Sequence, residues 1–315
     1  MTAAFTALHR SLARRVYLDT HAPDSSVLVA GTGRGGTTWL SQLINHDHHY
    51  RLMFEPVMPD HVPMFEPLSR RPYLPRDETD DTWGQPLDRV FSGRLRNTWV
   101  DAHNSRLIAR HRLVKDIRLN LALPWIAQRY PRMPIVWLLR HPCAVAYSKL
   151  KLGWNTHLDL FLEDHRLMRD HLSPYRALLS SAAEPWDRHV LMWCVETLIP
   201  LRTLQPGETL PVSYEDLCDT PWTTLDGVFA CLGRPYRRNV MEHALTLRSA
   251  THRTGSAVVT GADPVAGWQR HVTPAQRRRA GDLLRAFGLD ALYNAEDPRP
   301  RCAADDLIGA LRNAG

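Results

Sequence analysis

The segment 27-VLVAGTGRGGTTWL-40 restricts the possible folds of this chain more than any other stretch. Ser26 to Ala30 is a short apolar run stopped by glycine, the pattern of a buried strand. Gly31, Gly33, Gly35 and Gly36 then turn the backbone, and Thr37 to Asn45 opens a helix with Trp39, Leu40, Leu43 and Ile44 as its apolar positions. A glycine-rich turn between strand and helix brings backbone N–H groups together at the positive end of the helix, where an anion is favoured. Arg34, inside the turn, adds a guanidinium that can grip an anion with two hydrogen bonds. A tight strand-to-helix turn with no ligand needs fewer glycines and no central arginine.

The rest of the chain repeats the strand–helix alternation. Arg51–Phe54, Arg112–Ile117, Ile135–Leu139 and Thr209–Ser213 read as further strands. Helices are expected over 121–130, 144–152 (starting near Pro142), most of 158–204 with breaks near Pro174 and Pro185, 221–232 and 274–287. Apolar strands alternating with helices predict an α/β fold: one P-loop-like domain, a five-stranded parallel sheet flanked by helices, with ligands at the carboxyl ends of the strands. The domain is expected to span 1–294, with an irregular insertion at 56–86, a basic loop at 248–272 and a weakly ordered tail at 295–315. The insertion carries prolines at 56, 59, 63, 67, 72, 75 and 86, too many for regular ladders, but Met58, Met64, Phe65, Tyr73, Leu74 and Trp83 anchor it.

Composition narrows the classes of function. Hydrophobic residues at 44% with 23% charged residues exclude a disordered chain, and no run of about 18 uncharged apolar residues is present to span a membrane as a helix. The opening MTAAFTALHRSLARRVYLDT lacks the long apolar stretch of a secretory leader and reads as an amphipathic helix, so a cytoplasmic location is expected. Five scattered cysteines without a C-x-x-C pair suggest neither a zinc ribbon nor a dithiol site. The net charge is +6, and 36 of the 39 basic residues are arginine. Between Arg248 and Arg285, seven arginines face only Asp263 and Asp282, a local +5. Such charge favours an anionic partner without choosing nucleotide, nucleic acid or membrane.

Two familiar nucleotide motifs fit imperfectly. Gly31 to Thr38 has Walker A spacing, but Thr37 stands in the lysine's place. Gly31, Gly33 and Gly36 have dinucleotide-fold spacing, but Glu55, the acidic residue ending the next strand, is followed at once by Pro56. A second anion site is suggested by 138-LLRHPCAVAYSKLKLGW-154, where Arg140 ends a strand, Pro142 starts a helix and Ser148 lies eight residues on. Lys149 and Lys151, beside Ser148, are expected to be solvated.

With both motifs present, the sequence resembles the PAPS-dependent sulfotransferases, nearest to the bacterial and carbohydrate-type members. The segment 34-RGGTTWL-40 is similar to that family's 5′-phosphosulfate loop, 140-RHPCAVAYS-148 to its 3′-phosphate motif, and 213-SYEDL-217 to an element near the adenine. The resemblance implies PAPS as donor and PAP as product, and no metal. It assigns Arg34, Gly35, Gly36, Thr37, Thr38 and Trp39 to the 5′ end, and Arg140 and Ser148 to the 3′-phosphate. Tyr214 is assigned to the adenine, and Arg253, in 252-HRTGS-256, to the 3′-phosphate. Members acting on small phenols place a histidine in a K-T-H element; here 115-KDI-117 keeps the lysine alone. Members of the carbohydrate and bacterial type show an E-P pair, present here in 54-FEPV-57. Glu55 is therefore the expected base with Asp116 second, and Lys115 and Arg34 the residues that stabilise developing charge.

The implied enzyme is a sulfotransferase acting on a hydroxyl of a carbohydrate or secondary metabolite, with 56–86 and 154–185 forming the acceptor side. Its partners are a small molecule or glycan, with neither nucleic acid nor a membrane span. The cluster 46-HDHH-49 lacks helical ligand spacing and reads as a polar loop. Two other classes compete. One is a P-loop nucleotide kinase, against which the missing lysine counts. The other is a non-catalytic anion or nucleic-acid binding protein using 248–285, whose mark is a steep salt dependence.

Overall fold

The structure, a computed structural model, describes residues 18–19, 25–104, 107–246, 263–308 and 310. The N-terminal segment, Arg253 and most of the basic loop lie outside the described residues. Five strands, β1 (Ser26–Gly31), β2 (Tyr50–Phe54), β3 (His111–Asp116), β4 (Ile135–Leu139) and β5 (Leu210–Ser213), form one all-parallel sheet in the order β2-β3-β1-β4-β5. The register pairs Val29 with Lys115, Phe54 with Lys115, and Gly31 with Leu138, so the loops that follow these strands leave the sheet side by side.

Both faces of the sheet are covered, and alternate side chains divide between them. Val27, Val29, Leu52, Leu113, Val136 and Leu138 pack against α1 (Thr37–Ile44) and α8 (Pro221–Cys231). Leu28, Ala30, Met53, Val114, Ile135 and Trp137 pack on the opposite face. That face carries α2 (Gly84–Phe91), α3 (Leu123–Arg129), α4 (Pro142–Lys151), α5 (Leu158–Glu163) and α6 (Pro185–Thr203). Pro142 and Pro185 stand in the first turns of α4 and α6, where a missing N–H costs no helical bond. The chain leaves β1 toward β2 and leaves β4 toward β5. The crevice between β1 and β4 is therefore the switch point of this sheet, where parallel α/β folds bind ligands.

A short helix not expected from the sequence, α7 (Tyr214–Asp219), starts directly from β5 with Ser213 accepting from the Asp216 N–H as its cap. It is followed by α8, by α9 (Arg238–Thr246), and by α10 (Pro274–Ala286), which begins with a Thr273–Gln276 capping box. Residues 295–308 carry α11 (Ala304–Leu307), and Ala295, Ala304 and Ile308 are buried against the main core. Polar residues inside the strands have partners. Arg51 bonds Asp101 at 2.7 Å and the carbonyls of Gly93 and Leu95, and Arg112 bonds Ser26, which ties the segment after α2 to the sheet. Among the described residues no helix is long and apolar enough to cross a membrane.

Candidate active site

The glycine loop leaves β1 where only a glycine can pass. A side chain at Gly31 would lie 2.5 Å from the Leu138 carbonyl oxygen on β4. Within the loop Arg34 is left-handed, with φ 70°, and Gly36 follows at φ 101°. Left-handed backbone at a non-glycine residue costs about 1–3 kcal/mol and recurs at functional sites. The Gly35 N–H donates to the Thr32 carbonyl at 3.0 Å, closing the first turn. No side chain caps α1, so its leading N–H groups point to where a ligand would approach. Gly36 lies against the Tyr214 ring, and a Cβ there would be 2.6 Å from Tyr214 Cδ2. Gly36→Ala is expected to destabilise the fold by about 1–3 kcal/mol, read from thermal melts; an unchanged melting temperature would show that the loop is not gripped in this way.

The second motif meets this loop directly. Arg34 Nε donates to Ser148 Oγ at 3.1 Å, and Arg140 Nη1 donates to the Arg34 carbonyl at 3.2 Å. Arg140 lies over the Tyr214 ring, 4.0 Å from its centre, and its Nη2 reaches the Pro264 carbonyl. Two buried donors nearby lack partners: Arg140 Nε and the indole N–H of Trp39, whose ring packs edge-on against Tyr214. Tyr214 is 4% exposed, so its face is offered to Arg140 and Gly36.

A buried frame fixes Arg140 from behind. Glu215 accepts from the His141 N–H at 2.9 Å and from the Tyr293 hydroxyl at 2.9 Å, and the His141 ring pairs with the Asn294 carbonyl. Burial pushes the His141 imidazole down to about 4 and the Glu215 carboxyl up. The indole of Trp193 holds the Arg140 carbonyl at 3.0 Å.

The third part of the site lies at the ends of β2 and β3. Glu55 has φ 43°, and its N–H donates to the Lys115 carbonyl at 2.7 Å. Its carboxylate binds Lys115 Nζ at 2.5 Å and Arg118 Nη1 at 3.0 Å. Lys115 is 2% exposed, and its ammonium sits 4.7 Å from the centre of the Phe54 ring. Burial raises the Glu55 carboxyl, but Lys115 and then Arg118 outweigh it and hold the group below its ordinary range. Burial lowers the Lys115 ammonium, with Glu55 opposing. Asp116 is fully buried, and its oxygens accept from the N–H groups of Val57 and Arg118 at 3.0 and 2.8 Å. It therefore acts as the clasp of this turn.

The structure thus brings Arg34, Gly35, Gly36, Thr37, Thr38, Trp39, Arg140, Ser148 and Tyr214 to the β1–β4 crevice. Lys115 lies one strand away on β3, and Glu55 follows β2, the strand beyond it. Several residues were not anticipated. Arg118 sits three positions past Lys115, a spacing visible in 115-KDIR-118. Arg71 forms a buried pair with Glu196, 125 residues away, and also holds the Ile117 carbonyl. His157 stands near Arg71, Arg70 and Arg118, and burial followed by these charges takes its imidazole down to about 4. Lys149 is corrected: it is 2% exposed, with Nζ donating to Thr32 Oγ1 at 3.2 Å. Trp154, 41% exposed, leans its ring on Gly33. Tyr73 with His171 and Glu78 with Arg166 join the insertion to the helical segment after residue 157.

In the 46–49 cluster, His46 pairs with the Leu43 carbonyl, Asp47 with Arg234, and His49 stacks on His111. Among the described residues no group of three or more His, Cys, Asp or Glu side chains is arranged to hold a metal ion.

No curated protein sequence matches the chain. Among solved structures it is similar to the sulfotransferase domain of the olefin synthase of Synechococcus PCC 7002, at 14% identity and TM-score 0.45, covering 87% of this chain and 96% of that one. It is also similar to the sulfotransferase domain of the curacin biosynthetic pathway, at 16% identity and TM-score 0.42, over 90% and 95% of the two chains. Mouse sulfotransferase SULT7A1, solved with PAP, is similar at 15% identity and TM-score 0.45, over 88% and 87%. The family model described as the sulfotransferase family matches residues 26–238, from the first residue of β1 to the first of α9. That span takes in the glycine loop, the Glu55–Lys115 turn, the Arg140–Ser148 helix and the Ser213 cap, and by it the chain belongs to the sulfotransferase family and is a sulfotransferase.

Proposed function

We propose that this sulfotransferase moves the sulfuryl group of PAPS to a hydroxyl of a small-molecule or glycan acceptor, with Glu55 as general base. One observation carries the reading: two anion-ready loops, from β1 and β4, are tied to each other through Arg34, Ser148 and Arg140. PAPS bears a phosphosulfate at its 5′ end and a separate phosphate at its 3′ position, and so needs two such sites close together. A nucleoside triphosphate needs one, with a lysine where this chain has Thr37.

The unpartnered donors fit the same group. A buried donor without an acceptor costs about 1–3 kcal/mol, and a phosphate oxygen at Arg140 Nε offsets that cost. The N–H groups of Gly36, Thr37 and Thr38, with Gly35 turning the backbone before them and Trp39 beside them, hold the 5′ end. Arg140 and Ser148 hold the 3′-phosphate, and Arg34 links the two ends. Tyr214, assigned to the adenine, lies buried beneath Arg140 and also fixes its guanidinium. Arg253, outside the described residues, is assigned to the same phosphate.

When bound, PAPS supplies an activated sulfuryl group on a phosphate leaving group. As the acceptor oxygen bonds to sulfur and the bond from sulfur to the 5′-phosphate oxygen breaks, Glu55 takes the acceptor proton. Lys115 stabilises the negative charge left on the bridging oxygen. These two roles reinforce each other, because an ammonium drawn toward that oxygen neutralises Glu55 less and makes it the stronger base at that moment. Asp116 is unsuited to the task, since its oxygens are engaged by backbone N–H groups in a fully buried turn. The insertion, joined to the helical segment and flanked by Trp154 and His157, supports an acceptor cleft on the Glu55 side.

The test is transfer of label from sulfur-labelled PAPS across a panel of sugar, phenol and alkyl hydroxyl acceptors. Labelled sulfate ester is expected with at least one acceptor class. Absence of transfer throughout, together with phosphorylation from labelled ATP, would return the chain to the kinase reading.

A further inference from the structure

One of the three lysines in the chain, Lys149, is buried behind the glycine loop. Ser148 faces Arg34, and the next residue on α4 turns inward to meet Thr32, itself 6% exposed. Thr32 anchors the first turn of the loop: its carbonyl accepts from Gly35, and its hydroxyl accepts from Lys149. The Lys149 carbonyl in turn accepts from the Trp154 N–H at 3.0 Å, which fixes the residue whose ring rests on Gly33. The loop is therefore held by Lys149 from below through the side chain and from its outer side through the backbone.

The charges around Lys149 do not balance internally. Arg71, from the insertion, occupies one oxygen of Glu196, and the other oxygen of Glu196 is buried without a partner. Lys149 and Arg71 both face Glu196 behind the loop, and Arg71 also feels Asp116 and Glu55 with Arg118 opposing, which leaves Glu196 as the one carboxylate acting on Lys149. A surplus buried cation favours an anion on the open side of the loop.

We propose that Lys149 is a positioning residue for the donor: its ammonium orders Thr32 and supplies, from α4, the positive charge that a Walker-type loop carries on a lysine at the place of Thr37. This inference rests on the reading of the loop as the site of the 5′-phosphosulfate. Burial, with Arg71 adding to it and Glu196 opposing, takes the Lys149 ammonium down to about 8. The groups that face it are Thr32 from the loop, Arg71 from the insertion, and Glu196 and His189 from α6. Of these, His189 is held down at about 4 and stays neutral, and arginine stays charged, above pH 7. At the other end of the site Tyr214 and Cys218 are pushed up to about 12. Lys149 therefore carries its charge below about pH 8 and loses it above, and the pull on the donor fades in the same direction.

The experiment is calorimetric titration of PAP into the full chain and into the variants K149M and K149R, from about pH 7 to about pH 9.5, with unliganded melting temperatures as the control for folding. In the wild type the Kd for PAP is expected to rise above about pH 8 and to level off about tenfold higher, near the K149M value. K149M is expected to bind about tenfold more weakly at pH 7 and to show no such rise, and K149R to hold its affinity through pH 9.5. A wild type that binds PAP with a flat profile overturns the inference, as does a folded K149M that binds like the wild type. If K149M does not fold, the wild-type and K149R profiles decide. A wild type that binds no PAP at any pH overturns instead the reading of the loop as a nucleotide site.

Discussion

Replacing Lys115 with methionine is expected to lower kcat by about 10²–10³ while leaving PAP affinity within a few-fold of the wild type. The ammonium is almost wholly buried at the end of β3, held at 2.5 Å by Glu55 and near the Phe54 ring, where water competes little for its charge. On the proposed role its effect is expected to fall on the oxygen that gains charge during transfer, with little left for ground-state binding. The fold is expected to tolerate the change, because Arg118 still neutralises Glu55. Steady-state kinetics at saturating donor and acceptor provide the measurement. A kcat within tenfold of the wild type would remove Lys115 from the reacting centre.

Glu55→Gln is expected to cost about 10²–10⁴ in kcat, the range for loss of a general base. The amide keeps the shape, and its one oxygen can accept from either Lys115 or Arg118, so the proton acceptor is lost along with one of the two charged hydrogen bonds. The pH profile adds a check. The folded-state Glu55 carboxyl lies below its ordinary value because Lys115 and Arg118 outweigh burial. The group is thus ionised at every pH above its unfolded value of 4.5, and the stability gained from the pair is lost only as pH falls through the lower folded value. The wild-type kcat should accordingly show no acid limb between about pH 5.5 and 7.5. A limb near pH 6.5, or a Glu55→Gln enzyme with near-normal turnover, would move the base to another residue.

The features readable from the sequence were those with local causes. The run 135-IVWLL-139 is apolar because both its faces are covered, and it is β4 from end to end. Arg140 and Ser148 are eight residues apart because one ends that strand and the other sits two turns into α4, and this spacing brings Ser148 to Arg34. Glu55 and Lys115 end neighbouring strands whose register pairs Phe54 with Lys115. The features that escaped depend on contacts between distant parts of the chain. Lys149 looks solvated beside Lys151, but α4 lies between the glycine loop and α6, so the side chain next to Ser148 has no route to water. Arg71 and Glu196 are 125 residues apart, and no local pattern marks either one. The tail past Tyr293 lacks an apolar run, yet Tyr293 is buried on Glu215 and Asn294 holds His141, so that segment closes the frame behind Arg140.

One nucleotide with a 3′-phosphate is expected to occupy both loops. The most direct test is calorimetric titration of the wild type with PAP and, separately, with ADP, which has phosphates at the 5′ end only. A charged hydrogen bond contributes about 1.5–3 kcal/mol, so PAP is expected to bind roughly 10- to 100-fold more tightly, with Arg140→Ala erasing the difference. ADP binding as tightly as PAP, or no binding of PAP at all, would contradict the account.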